Sequence, residues 1–294
     1  MRDGVSASCV ALPHGPWSQL AEFLSERLPA VSPAQWLQRM AHGRVLDEEG
    51  RPLPPDAGFR PGTRVYYYRE LEAEPAIPFE EVVLYQDAHL LVADKPHFLP
   101  VTPTGRYVQQ TLLVRLKRRT GIETLSPIHR IDRETAGLVL FSIRPQDRGA
   151  YQALFRDKAV EKSYEAIAPL RAELPLPSVH RSRIEADVQF FRQREVPGPP
   201  NSETRIELLQ ALGPQALYRL SPVTGKTHQL RVHMHALGRP IAGDLFYPHV
   251  VHGPEHAQDD YSRPLQLLAR SVSFTDPVTG EARQFVSRRQ LTGS

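Results

Sequence analysis

A single cysteine, Cys9, stands in 294 residues, so no disulfide can form within the chain, and a reducing compartment suits it. No apolar run approaches the roughly 18 residues needed to span a bilayer. The opening MRDGVSASCVALPHGPW has neither the long apolar core nor the basic start of a secretory signal. A cytoplasmic protein without membrane contact is therefore expected. Internal repeats and low-complexity tracts are lacking, which excludes a solenoid or a disordered tail as the main architecture. Net charge is only +3, too small for bulk electrostatics to name a partner.

What is present is a 40% hydrophobic composition, enough for a sizeable core. The length exceeds the roughly 100 to 200 residues of one domain, so two domains are expected. After an irregular opening dozen residues, WSQLAEFLSERL and SPAQWLQRMAHG read as helices. The second has Ser32 as N-cap, Pro33 at the first helical position and Gly43 as stop. Strand-like RVLDEEGRPL and TRVYYYRE follow. The acidic, proline-bearing stretch from Glu72 to Pro78 reads as a linker, which places domains at 1–75 and 76–294.

Beyond it, VVLYQDAHLLVADKP reads as two strands around a turn at Gln86 to His89. LLVRLKRR reads as a helix, HRIDRETAG as a loop feeding the strand LVLFS, and RPQDRGAYQALFRDKAV as another helix. EKSYEAI is strand-like, EVPGPPNSET has an exposed loop's composition, and LLQALGPQALYRLSP reads as two strands joined at Gly213 and Pro214. Clean strand-helix-strand units are few, so a mixed α+β sheet with flanking helices is expected over a doubly wound one.

Charge is unevenly placed. Between Gly105 and Arg133 stand Arg106, Arg115, Lys117, Arg118, Arg119, Arg130 and Arg133 against only Glu123 and Asp132. Such a field can grip phosphates. It can equally be the solvated face of an amphipathic helix whose Leu112, Leu113 and Leu116 turn inward.

Three stretches concentrate chemistry. HRIDRETAGL sets Asp132 between two arginines at the lip of an apolar run, where a loop ion pair is the plain reading. EKSYEAI, read as a strand, turns Lys162 and Tyr164 to one surface. TGKTHQLRVHMHALG contains Gly-Lys-Thr, but a phosphate-binding loop needs glycine five residues ahead of Gly225, and Leu220 is there. As a helix from near Thr227, it aligns Leu230, Met234 and Leu237 toward a core and groups His228, Arg231 and His235 elsewhere. A metal held by His228 and His235 would meet the positive Arg231, so no metal is expected.

Together these stretches resemble the signatures of the RluA-type pseudouridine synthases. HRIDRETAGL is similar to the first, usually HRLDxxTSGL; EKSYEAI to the second; and GKTHQLRVHMHALGRPIAGDLFY to the third, in the same order. LYQDAHLLVADKP resembles the opening of that catalytic domain and LQLLARSVSFTDP its close, so the likeness runs from about Phe79 onward. The first 75 residues resemble an S4-type RNA-binding module, and a plain structural cap is the alternative.

The resemblance implies a pseudouridine-synthase-like, mainly antiparallel sheet and a monomeric enzyme. It would turn uridine into pseudouridine in structured RNA, a ribosomal or transfer RNA stem-loop, with no cofactor. Asp132 would act at the sugar, Arg231 would be its buried partner, and Tyr164 would receive the C5 proton. The target base must be flipped out to be reached, and Arg130 would enter the space it leaves. His129, Lys162, Lys226, His228, Gln229 and Leu267 would meet the substrate, with Leu267 as an apolar wall. Arg115, Lys117 and Arg118 would grip phosphates, while Arg133 would be only a surface charge. Ile131, Ala136 and Lys226 depart conservatively from the family pattern. His97, Phe98, Thr102 and Leu268 depart further and are expected at the rim that selects RNA. A catalytically idle RNA-binding protein that keeps the fold is the alternative, against which Asp132, Tyr164 and Arg231 together argue. A hydrolase using a metal on His228 and His235 is a third.

Overall fold

The computed structural model describes residues 4–5, 7–68, 74–188, 191–251 and 260–292. The chain divides into two compact units, Met1–Glu74 and Pro75–Ser294. Of the expected linker, residues 72 and 73 lie outside the described ones. Ile77 within it is buried in the second unit's core, where its apolar side chain meets Leu112 and Leu116.

In the first unit the strand β1 (Ser8–Ala11) precedes the helices α1 (Leu20–Arg27) and α2 (Pro33–Ala41), followed by β2 (Val45–Leu46) and β3 (Arg64–Tyr67). The Ser32 hydroxyl caps α2 by accepting from the Gln35 amide, and the Gln35 side chain returns a bond to the Ser32 amide. Gly43 ends the turn with φ +64°. The irregular opening that the composition predicts is in part a strand. β1 pairs antiparallel with β3, because alternate residues there reach a core built on Leu20, Leu24, Trp36, Met40 and Val65.

The second unit holds β4 (Val82–Gln86), β5 (Leu90–Lys95), α3 (Leu112–Thr120), β6 (Ser126–Pro127), β7 (Ala136–Ser142) and α4 (Arg148–Arg156). Then come β8 (Glu161–Pro169), β9 (Val179–Ala186), β10 (Gln193–Val196), β11 (Ser202–Leu212), β12 (Gln215–Pro222), α5 (Gln229–Ala236), β13 (Leu267–Thr275) and β14 (Ala282–Val286). Among the described residues the strands form one sheet in the order β10-β9-β11-β12-β8-β13-β7-β5-β4, with β14 on β13 and β6 on β7. It is the mixed, mainly antiparallel α+β sheet expected.

β5 and β7 are buried on both faces, so their continuous apolar runs divide by twos. Leu91, Ala93, Val139 and Phe141 meet α3, while Leu90, Val92, Leu138 and Leu140 meet Tyr151 of α4. The stretch EVPGPPNSET is a loop only in its middle. Glu195 and Val196 end β10, and Ser202 begins β11 with Ser202 and Thr204 buried. Their hydroxyls satisfy a neighbouring histidine, which composition alone does not reveal.

One pairing positions everything that follows. β13 runs parallel to β7, with Leu268 opposite Ala136 and Ala269 opposite Gly137, while its other edge runs antiparallel to β8. The loop before β7, which carries Asp132, is thereby brought beside Tyr164 on β8. At this seam Gly137 adopts φ +109°, and a Cβ there would fall 2.3 Å from the Ala269 carbonyl oxygen and 2.7 Å from its nitrogen. Only glycine allows so close a backbone approach. Gly137→Ala is expected to destabilise the protein by about 2–3 kcal/mol through overpacking, read by urea unfolding. A midpoint equal to that of the parent would show that the seam can open without cost.

Candidate active site

A cleft of about 890 Å³ opens where the loop before β7, the end of α4, β8 and the β12–α5 loop converge, with Leu267 of β13 in its lining. Asp132, Tyr164 and Arg231 border it together, as do Arg130, His129, Lys162, Lys226, His228, Gln229 and Leu267. Residues from separate signatures thus share one hollow.

Its anchor is Arg231, which lies on α5 with its side chain 1% exposed. Nε and Nη2 donate to the two oxygens of Asp244 at 2.8 and 2.7 Å, a bidentate pair, and Nη1 donates to Asp132 Oδ2 at 3.2 Å. The rings of Phe246 and Tyr247 stand 4.9 and 5.5 Å from the guanidinium carbon. Burial by itself disfavours the cation. The hydrogen bonds and charge of Asp244, then the charges of Asp132 and Glu134, outweigh it and push the Arg231 pKa up. Asp244 also accepts the backbone N–H groups of Phe246 and Tyr247, so this fully buried carboxylate is held from both sides. Asp132, in contrast, is 25% exposed and faces the cleft.

The loop carrying Asp132 is latched from below. Lys95 Nζ donates to the Arg133 carbonyl at 2.9 Å and the Pro96 carbonyl at 3.0 Å. His97 Nδ1 donates to the Glu134 carbonyl at 2.7 Å, and Arg133 Nε to the Phe98 carbonyl at 3.0 Å. Three of the expectations change accordingly. Arg133 is no surface charge, since its guanidinium is mostly buried over the Tyr107 ring. His97 and Phe98 lie beneath the catalytic-loop candidate instead of at an RNA-selecting rim. Burial, with Glu134 and Asp132 opposing it, lowers the Lys95 pKa to about 7.

Burial, and after it the Asp132 charge, pushes the Tyr164 phenol up, and burial lowers the Lys162 ammonium. His228 caps α5 in the left-handed region at φ 53°, with Nδ1 3.3 Å from the Tyr247 hydroxyl and Nε2 4.0 Å from Asp132. Burial lowers its pKa against the pull of Asp132.

Several of the cleft residues also have structural work. His129 Nε2 accepts the Leu140 amide at 3.2 Å and its ring stacks on Phe155 at 4.5 Å. Burial drives its pKa to about 3, so it brings no positive charge to RNA. Gln229 Nε2 donates to the Glu203 carbonyl and the Thr204 hydroxyl, while Oε1 accepts from Thr224 and the Lys226 amide. All four of its bonding positions are occupied, and it clamps the loop that enters α5.

The basic helix is likewise reassigned. Arg115 donates to the carbonyls of Ile77 and Phe79 and faces the buried Glu81, which Arg119 also pairs at 2.9 Å. Lys117 is buried and Arg118 bonds Gln109. None of Arg115, Lys117 and Arg118 lines the cleft among the described residues. The rim carries Arg156 and Lys158 at the end of α4, which sequence reading missed. Asp244 and Lys95 were missed as well. The only signals were the Gly-Asp and Lys-Pro pairs inside the matched stretches. The pair considered for a metal, His228 and His235, forms no cluster of potential ligands among the described residues.

Residues 89–236 match the family of RNA pseudouridylate synthases. The chain belongs to that family. Among its relatives, the dual-specificity RNA pseudouridine synthase RluA of Haemophilus influenzae is 33% identical over 221 residues, 72% of this chain and 94% of that one. Ribosomal large subunit pseudouridine synthase C of Vibrio cholerae is 31% identical over 71% of this chain and 68% of its own length. The human pseudouridylate synthase RPUSD2 is 30% identical over 64% of this chain, a match that spans only 35% of the human one. Among solved structures, human RNA pseudouridylate synthase domain containing 4 superposes with a TM-score of 0.53 at 27% identity, covering 71% of this chain and 88% of that one. Domain containing 1 reaches 0.57 at 23% identity, covering 74% and 86%, and shares the fold.

The depressed Lys95 gives this family member a pH signature. Between about pH 7 and its ordinary 10.5, the unfolded chain holds more of that proton than the folded one, so stability rises with pH. Lys95→Met is expected to flatten the rise by about 1 kcal/mol per pH unit, read by urea unfolding at pH 7, 8 and 9. Parallel curves for the two proteins would show an unshifted ammonium.

Proposed function

We propose that this chain isomerises uridine to pseudouridine in a structured ribosomal or transfer RNA; one relative is named for the ribosomal large subunit and another as a dual-specificity RNA pseudouridine synthase. The observation that supports the reading most is the carboxylate of Asp132, open to the cleft on one side and hydrogen-bonded to the buried Arg231 on the other. The reaction breaks the bond from C1′ to N1, turns the base and joins C1′ to C5; the C5 proton is lost and N1, freed from the sugar, gains one. Addition of a carboxylate to C1′ and removal of the 2′ proton both require an anion fixed against the ribose, and Asp132 meets that need. Pairing with a cation that cannot move keeps its position without reorganisation.

Tyr164 packs against the base in this reading. Its raised pKa means that it meets the base as a neutral phenol. It therefore accepts the C5 proton in concert with loss of its own, to Asp132 or to water in the cleft. Leu267 supplies an apolar wall. Arg130, exposed beside Asp132, fills the gap left by the flipped base, whose extraction costs a few kcal/mol. The cations that meet phosphates are those of the rim, Arg156, Lys158 and Lys226, and not those of α3. The first unit is proposed as an S4-like RNA-contacting module on its helices and strands alone.

Uridine-labelled transfer and ribosomal RNA, incubated with parent and Asp132→Asn, is expected to show a loss of pseudouridine formation of about 10²–10⁴-fold or more. Equal formation by both proteins would remove Asp132 from the chemistry. Lys158→Gln and Lys226→Gln should each reduce the slope of log affinity against log salt by about 0.7–0.9. Charge reversal at Lys117 and Arg118 should leave that slope unchanged. The opposite pattern would return phosphate binding to α3.

A further inference from the structure

Away from the cleft, His180 of β9, Glu195 of β10 and His233 of α5 converge so that one ligand atom from each lies within 4.8 Å of the others. Glu195 Oε1 is the shared vertex, 2.8 Å from His180 Nε2 and 3.9 Å from His233 Nε2. The Ser182 hydroxyl stands 3.1 Å from His233 Nε2 and bonds Glu195 as well. Four donors around a tetrahedral ion with bonds of about 2.0–2.1 Å lie roughly 3.3 Å apart, so the observed separations straddle the required one. We propose that His180, Glu195 and His233 form a binding site for a zinc-class divalent cation, with the Ser182 hydroxyl or a water as fourth ligand.

The hydrogen bonds around His233 show how the site would fill. Its Nδ1 lies 2.9 Å from the Thr204 hydroxyl. When Nδ1–H donates there, the ring orientation is held by its second nitrogen, the usual support for a metal-bound imidazole, and Nε2 presents a lone pair to Glu195 and His180. In that tautomer the Ser202 hydroxyl at 3.0 Å and the Ser182 hydroxyl at 3.1 Å are the groups within reach of the lone pair, and each also has an oxygen acceptor. The Ser202 hydroxyl donates to the Ser182 carbonyl at 2.7 Å, and the Ser182 hydroxyl donates to Glu195. A cation satisfies the lone pair and selects this tautomer. The alternative tautomer donates Nε2–H to the serines and takes a proton from Thr204, and it describes the site without metal. Two imidazoles and one carboxylate suit zinc and its first-row neighbours better than magnesium or calcium.

The three ligands come from two strands and a helix, so the ion would tie the β9–β10 pair to α5, two residues from Arg231. Its role would be to staple and not to react.

The test does not depend on activity. Full-length protein, stripped with chelator and dialysed against Zn²⁺ or Co²⁺, is expected to retain one ion per chain, with visible ligand-field bands for cobalt. Its thermal midpoint should fall on chelation. His180→Ala and Glu195→Gln should each weaken binding by at least about 100-fold while still melting cooperatively, and His235→Ala should bind as the parent does. The proposal is overturned if the parent holds no ion, if the His180 and Glu195 variants bind as tightly as the parent, or if chelator leaves the melt unchanged.

Discussion

A guanidinium sealed from water, that of Arg231, imposes the arrangement of the second unit. Such a charge is tolerable only with fixed opposite charges and filled hydrogen-bonding positions. Asp244 from the loop after α5 and Asp132 from the loop before β7 provide them, and Phe246 and Tyr247 close the sides. Removing one carboxylate of a buried pair typically costs about 3–5 kcal/mol. The two partners differ in kind. Asp244 is enclosed and fully bonded, whereas Asp132 keeps an exposed side. One cation thus holds both an enclosed carboxylate and one that stays open to the cleft.

Around this pair the polar groups form a support that reaches far along the chain. Lys95 at the end of β5 and His97 just beyond it donate to the carbonyls of Arg133 and Glu134, and Gln229 ties the entry of α5 to Glu203 and Thr204 on β11. These bonds set the Asp132 loop and the α5 entry loop on rigid strands, as a preorganised site requires. The loop has little freedom left apart from the one carboxylate that faces the cleft.

Much of this was legible in the sequence, and the illegible part has a common physical cause. The helices with their Ser32 and Gly43 boundaries, the β4–β5 hairpin and the Asp132, Tyr164 and Arg231 assembly rest on local pattern or on contiguous signatures. His129, Gln229 and Arg115, polar residues inside or near those signatures, carry structural bonds that the signatures do not show. Each is occupied by backbone groups distant in sequence: Leu140, Glu203 and Ile77. The basic cluster misleads for the same reason. Contiguous along α3, its charges diverge in space toward Glu81, Gln109 and the protein interior. The cations at the cleft come from the loop before β7, the end of α4 and the turn after it, β8, the β12–α5 loop and α5, and no short window of sequence contains them all.

The parallel seam of β7 and β13 also sets an order of events. Ala136 and Leu268 are 132 residues apart (268 − 136), and Asp132 and Arg231 are 99 apart. β7 and β8 are joined only through β13, which lies between them. During synthesis from the N-terminus, the β4–β5–β7 half and the β8–β12–β11 half can each collapse on local contacts while the cleft between them is unmade. A nascent chain would therefore carry the Asp132 loop long before the cleft around it could form, and the walls would close only with the segment that supplies Leu267.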